Sequence, residues 1–346
     1  MKHLFSVRGT CLLVFVTGVL VSVGAVGHHS PAAFDQTSEV DIEGTITDLS
    51  WSNPHITMTL EVVGPDGKRY LQEVEAASVS EERAAGVHKE MLPVGAQVVV
   101  RAHPSRRGPG ARVNGLAITM SDGSRLPLHP TAGFDIAPEV RDHAASLAGR
   151  WAPTGHAFTE TSNAIMTQWP FQDAARASLA DALSRPGSSL GICADLPPPA
   201  LSIFPELREI EIGETTIIMR FEDEGTNLER VIRMNEKEHP PDVKPSLLGH
   251  SIGWWEGETL IVDTTAFTPD PNGVFGWVPS GPDKHLVERF ALAANRRQLR
   301  YEVTLEDSES LTGPASVSML WDYRPDLQPS GVDCDPNMAE RLLHDE

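Results

Sequence analysis

The chain has 346 residues, 40% of them hydrophobic and 22% charged, with a formal charge of −20. This is an ordinary globular composition in a chain too long for one average domain, so two domains are expected. The acidic excess repels phosphate backbones and argues against nucleic acid as a partner.

Lys2 and Arg8 precede an apolar run from Cys11 to Val23, the layout of an export signal and short for a bilayer-spanning helix. Small residues follow, and cuts after Ala25 and after Gly27 both satisfy the small-x-small pattern. A retained N-terminal anchor is the competing reading. No second apolar run of spanning length follows, so residues 1–27 are read as a signal peptide and the remainder as periplasmic or secreted, without an integral membrane span. Of the three cysteines, Cys11 leaves with the signal. Cys193 and Cys334 then form an even pair in a compartment that permits oxidation, and a disulfide between them is expected to close most of the second domain.

Residues 28–128 read as the first domain. Val40 to Trp51 is a long β-branched strand with a bend or bulge expected at Gly44, and Asn53-Pro54 ends it. Ile56 to Val63 and Lys68 to Glu75 are strands joined by the turn Gly64-Pro65-Asp66-Gly67. Ser78 to Met91 is the helical stretch, with Ser78 and Glu81 as a capping box. Gln97 to Ala102 and Val113 to Met120 complete five strands. Three strands, a helix and two strands is the order of an OB-like five-stranded barrel. Such barrels often stack bases on aromatic rings, but Trp51 and Tyr70 are the only large flat rings here. Arg101, Arg106, Arg107 and Arg112 group around the last hairpin, either as a small anion or partner surface or as a solvated rim.

The run His28-His29-Ser30, Phe34-Asp35, Gly44-Thr45 and Trp51-Ser52-Asn53-Pro54-His55 resembles an exported bacterial family, domain of unknown function 6152. Members begin after the signal with a His-His pair and carry W-x-N-P-H at the end of the first strand. The resemblance covers about the first third of the chain and implies no chemistry.

The residues themselves point to copper. A cut after Gly27 frees the amine of His28, which with its own Nδ1 chelates one metal, and a further imidazole completes a T-shaped histidine brace. A cut after Ala25 instead leaves Val26-Gly27-His28, whose amine, two deprotonated amides and imidazole form a square-planar set for Cu(II) or Ni(II). His29 is the neighbouring imidazole, and His55 or His103 would supply the additional ligand. The competing reading is adventitious binding at an exposed His pair. Zinc is disfavoured, because no Cys ligand pair or H-E-x-x-H spacing occurs.

Residues 129–146 form a Pro- and Gly-containing linker, 147–335 a second domain and 336–346 a C-terminal tail. Gly149-Arg150-Trp151 resembles the start of a lipocalin-like barrel, with the Trp closing one end. Phe171 to Leu183 is helical by composition, and Pro197 to Pro199 is an extended approach. Strands are expected at Leu207–Ile212, Thr215–Phe221, Leu228–Met234, His250–Trp255, Thr259–Phe267, His285–Leu292, Gln298–Glu306 and Ser316–Tyr323. Short turns imply antiparallel neighbours, and about eight strands in meander order suggest an up-and-down barrel with a cavity for a small apolar molecule. The fold class is thus mainly all-β, an OB-like barrel followed by a lipocalin-like antiparallel β-barrel.

Period-2 phase makes His250, Asp263, Glu288 and Arg289 the polar candidates for an interior, with Trp254 on the His250 face, and does not decide which face points inward. Glu288 is expected to pair with Arg289, and Asp263 with a turn backbone. Trp254, Trp255, Trp277 and Trp321 are read as core or rim packing. The segment Gly249 to Thr264, with Val287 to Phe290, resembles a second recurrent exported bacterial domain, spanning about Cys193 to Cys334 and including both cysteines. That resemblance implies no activity. His250 and Ser251 alternate across a strand and cannot pair as base and nucleophile, and no G-x-S-x-G elbow is present.

Three functions fit. The first is an exported binding protein with an N-terminal copper site. The second is a periplasmic isomerase, lyase or hydratase using His250, Asp263 or Glu288 in the second barrel. The third is an interaction module of an envelope assembly.

Overall fold

The computed structural model describes residues 33–129, 132–137, 140, 142–153, 155–184, 193, 195–223, 226–276 and 278–344. The expected signal segment, His28, His29 and Trp277 lie outside the described residues. The fold is mostly β, a closed five-stranded barrel followed by a closed nine-stranded one.

In the first barrel β1 (Val40–Ser50), β2 (Thr57–Val63), β3 (Arg69–Glu75), β4 (Gln97–His103) and β5 (Val113–Met120) pair in the order β3-β2-β1-β4-β5. A parallel β3–β5 contact, with Val74 opposite Val113, closes the ring. A short β6 (Arg125–Pro127) extends β5. Alternate strand positions turn Ile46, Leu60, Val74, Val100 and Ile118 inward, all of them fully buried. The bulge in β1 lies between Ile46 and Asp48, not at Gly44. Gly44 serves close approach instead, since a Cβ there would lie 2.9 Å from the Glu61 carbonyl.

The helix ends sooner than its composition suggests. Ser78 and Glu81 make the expected capping box, but α1 spans only Val79–Ala84. Gly86 follows at φ +92, and a Cβ there would meet the Ala137 main chain at 2.5 Å, so the chain turns away at a position that only glycine fills.

In the second barrel the expected strands correspond to β8 (Arg208–Ile212), β9 (Thr216–Asp223), β10 (Thr226–Arg233), β11 (His250–Glu256), β12 (Thr259–Thr265), β15 (His285–Leu292), β16 (Gln298–Glu306) and β17 (Ala315–Tyr323). The ninth is β7 (Gly149–Pro153), the G-x-W segment itself, which bridges β17 and β8. Trp151 is fully buried, donates from Nε1 to the Leu147 carbonyl and packs against Tyr323. The ring is not a pure meander, because residues 234–249 carry the chain back and β10 joins β11 in parallel. A hairpin of β13 (Asp270–Phe275) and β14 (Val278–Ser280) stands apart from the ring. Helices α2 (Gly155–Gln168), α3 (Asp173–Ser184) and α4 (Ala200–Ile203) add Ile165, Leu179 and Leu201 to the same apolar core.

The two barrels are joined through α1 and the C-terminal segment. Ser78 Oγ donates to Glu206 Oε1 at 3.1 Å, Ser80 Oγ to Glu222 Oε2 at 3.3 Å, and Arg324 Nη1 to the Ala84 carbonyl at 2.7 Å. The disulfide Cys193–Cys334 spans 141 residues and anchors the segment leading to α5 (Pro336–His344). That helix returns to the first barrel, where Arg341 pairs with Glu73 and the Met338 sulfur lies 3.9 Å from the Thr57 hydroxyl.

Candidate functional site

Three histidines lie toward one end of the first barrel: His103 pairs with Asn114, which faces Glu75 where β3 and β5 close the ring, His55 lies beside Glu75, and His129 follows Leu128, whose carbonyl accepts from Ala77 N. The chain enters beside it: Arg106 N donates to the Ala33 carbonyl, Phe34 bridges Ser105, and Asp35 N donates to the Pro104 carbonyl. His103, at the end of β4, lies with Nδ1 2.8 Å from the Ser38 carbonyl. His55, just after the Asn53-Pro54 turn, lies with Nδ1 2.9 Å from the Ala76 carbonyl and 3.4 Å from Glu75 Oε1. A carbonyl only accepts, so both rings carry their proton on Nδ1 and present Nε2 as the acceptor nitrogen. In that tautomer the lone pair that can bind a metal is on Nε2.

His129, beyond β6, completes the group. Burial lowers its pKa to about 4, aided by the charges of His55 and His103, so the ring is neutral at neutral pH. Sequence reading missed His129 because it follows the last strand of the domain. Its place immediately after the buried pair Leu126 and Leu128 was the available signal, since it directs the next residue to the same barrel end.

Behind His55, Glu75 is buried against Arg112 at 2.9 Å, while Arg101 pairs with Asp41 and Arg106 Nε donates to the Phe34 carbonyl. These three arginines of the last hairpin are thus spent on separate partners. Among the described residues no group of three or more His, Cys, Asp and Glu side chains is arranged to hold a metal ion.

Asn53 fixes the approach to His55. Fully buried, it accepts from Val79 N at Oδ1 and donates from Nδ2 to the Val332 carbonyl, while its own carbonyl accepts from Asp335 N. The W-x-N-P-H motif is therefore clamped by the disulfide-anchored C-terminal segment.

In the second barrel, where phase left the interior face open, only Glu288 of the four candidate residues faces inward. Arg230, Ser251, Thr264, Glu288 and Tyr301 form one network with exposures of 2% or less. Arg230 holds both Glu288 oxygens and donates to Ser251 Oγ at 3.0 Å and Thr264 Oγ1 at 2.7 Å, and Tyr301 donates to Glu288 Oε1 at 2.9 Å. Glu288 thus pairs with Arg230, and its hydrogen bonds are satisfied within the barrel. Arg289 points outward to Glu256 at 3.1 Å. Phe290, Tyr301 and Trp321 pack beside the network, and the Arg208 guanidinium lies 4.4 Å above the Trp321 ring.

Two other groups stand apart. Lys284, 1% exposed over the Phe267 ring, donates to the Gly273 carbonyl, and burial lowers its pKa to about 7 against the attraction of Asp270 and Asp307. Trp254 and Trp255 are exposed, and Trp254 Nε1 donates to Glu256 Oε1 at 3.2 Å, whereas Trp321 is core.

On the outer face of β11, β12 and β15, His250 and Asp263 belong to a chain of imidazoles and carboxylates. His239 from the 234–249 connection lies Nδ1 to Nδ1 2.8 Å from His250. Its Nε2 is 2.8 Å from Asp263 Oδ1, and His285 Nε2 is 2.9 Å from Asp263 Oδ2. Glu236 Oε2 stands 3.4 Å from His250 Nε2. Burial acts to raise the Asp263 carboxyl, yet the hydrogen bonds from His285 and His239 outweigh it and hold it below its ordinary value. His285 rises in turn, chiefly through its bond to Asp263. Burial and the Arg233 charge lower His250. His250 and Glu288 are therefore separated by the barrel wall. Sequence reading missed His239, which sits in a connection with no strand phase.

These features define a two-barrel β protein whose first, OB-like barrel carries histidines at the end where the chain enters. Residues 17–114 match the model of a family of unknown function, DUF6152, in agreement with the W-x-N-P-H resemblance. No family model covers the second barrel. None of the curated proteins compared with the chain matches it.

Proposed function

We propose that the protein is an exported copper-binding protein, with a metal centre assembled from its processed N-terminus and the histidines of the first barrel. His28 supplies the amine and imidazole chelate, and His29 lies beside it. His55, His103 and His129 offer the further nitrogens. The observation that carries this reading is that His103 lies against Ser38, and residues 33–35 are bonded to residues 104–106, only a few residues after His28, with His55 and His129 toward the same end of the barrel. A chain rises at most about 3.3–3.6 Å per residue, so four or five residues span the reach from Ala33 back to His28 and His29. The Cys193–Cys334 disulfide supports an oxidising, extracytoplasmic compartment.

The competing acid–base reading would draw on His250, Asp263 or Glu288. Of these Glu288 alone lies in the barrel interior, where Arg230 and Tyr301 hold it, and His250 and Asp263 lie on the outer face.

Export followed by intact-mass measurement and copper analysis tests the proposal. A terminus at Val26 or His28 with one tightly held copper is expected, and with the His28 terminus that copper is bound at least tenfold more weakly after joint His55→Gln and His103→Gln replacement. A terminus upstream of Val26, or no stoichiometric copper after loading, would contradict it.

A further inference from the structure

The C-terminal segment is built as a strap with one covalent fastening. Ser330 N donates to Glu222 Oε1 at 2.7 Å and so still belongs to the second barrel. Gly331 follows, exposed and at φ +65, with nothing within 4 Å of the place a Cβ would occupy. Beyond this pivot the chain belongs to the first barrel. Val332 packs against its core, the Val332 carbonyl accepts from Asn53 Nδ2 at 2.9 Å, Cys334 bridges Asn53 in parallel, and Asp335 N donates to the Asn53 carbonyl at 2.8 Å. Helix α5 then lies against Thr57 and Glu73. Its nine residues are fewer than the roughly 12–15 that an isolated helix needs in water, so it depends on being held there.

The fastening is reachable and sits on a strained backbone. Cys193 and Cys334 are both partly exposed, and Cys193 holds φ +50, the left-handed region that a residue with a Cβ adopts at a cost. Exposed or strained disulfides are the ones that exchange readily. We propose that Cys193–Cys334 is a redox switch, opened by an exported dithiol, which releases residues 332–344 from the first barrel while both barrels stay folded. A thiolate of the dithiol attacks one cystine sulfur, the S–S bond breaks, and the displaced cysteine leaves as a thiolate that takes up a proton. The second thiol of the partner then displaces the other cysteine from the mixed disulfide, so this chain gains two thiols and the partner one disulfide. Neither ring of strands includes the strap, since β3–β5 pairing closes the first and β7 closes the second. What opening changes is the clamp on Asn53, and with it the turn that carries His55.

The switch does not depend on the copper reading, and its test contains no metal. The metal-free exported protein is equilibrated with dithiothreitol in the absence of denaturant, its thiols are alkylated and located by mass spectrometry, and amide hydrogen exchange is followed on the same samples. Alkylation of both Cys193 and Cys334 is expected, with exchange at least tenfold faster over residues 332–344 and at Val79, whose N–H is held by Asn53, and unchanged over β8, β9, β12, β15 and β16. Cys334→Ser is expected to reproduce the faster exchange without reductant, and reoxidation of the native sequence to reverse it. Alkylation that occurs only after unfolding in urea would overturn the proposal. So would unchanged exchange over residues 332–344 in the reduced protein, or faster exchange throughout both barrels, which is the behaviour of a purely structural cross-link.

Discussion

Asn53 shows how much one residue can carry that a motif only hints at. As part of Asn-Pro it reads as a turn, and it does end β1, but its amide also joins α1 to the C-terminal segment through Val79 N and the Val332 carbonyl. The second partner lies 279 residues away, beyond any local pattern. Asn53→Ala would leave a buried donor and a buried acceptor unpaired, each at a cost of about 1–3 kcal/mol. Urea unfolding is expected to show a loss of about 2–4 kcal/mol, with weakened copper binding wherever His55 depends on that anchor. A loss below about 0.5 kcal/mol would mean that water replaces both bonds. The same limit explains His239 and His129. His55 and His103 could be nominated because they end strands, whereas a histidine in a connection has no phase to reveal its neighbours.

Among the elements, eight strands of the second barrel were legible because each alternates over five or more residues between clear turns. Strand β7 was not, since its five residues end at Pro153 and its partners β17 and β8 are far along the chain. Phase also sorted His250 from Ser251 correctly but could not tell inside from outside. That choice was made by Arg230, which sits inside and draws Glu288 to it. Element α1 carries a testable charge. Glu82 is buried at 2% exposure, and burial, reinforced by the neighbouring Glu81, holds its carboxyl well above the ordinary value. The folded state therefore keeps a proton that the unfolded chain releases near pH 4.5, so stability falls as pH rises from about 4.5 through the folded pKa. Glu82→Gln is expected to flatten that decline and raise the urea midpoint at pH 7. An unchanged pH profile would place the carboxylate in a compensated setting.

At the scale of the whole molecule, the two barrels are held by α1 and by a C-terminal segment locked through Cys193–Cys334. Parity of the mature cysteines and the export pattern made that bond legible, but not its role in clamping the W-x-N-P-H turn. A closed loop with a sequence separation of 141 residues corresponds to about 4–5 kcal/mol in the chain-entropy picture. Cys334→Ser is expected to lower the denaturation midpoint and to increase proteolysis after α5 loosens from Thr57 and Glu73. Equal protease resistance of the oxidised and reduced protein would show that the remaining contacts suffice. The two-barrel architecture followed from strand counts, while the joint between the barrels depends on contacts that only the folded chain brings together.

The central claim is that the N-terminus and the first barrel build one copper centre. Its most direct measurement is paramagnetic resonance of Cu(II) bound at one equivalent to the processed protein, with and without joint His55→Gln and His103→Gln replacement. The account predicts a nitrogen-rich signal whose pattern changes, with at least tenfold weaker affinity, when those two imidazoles are removed. An identical signal and affinity in both proteins would show that the N-terminal histidines bind copper alone, and that the barrel takes no part.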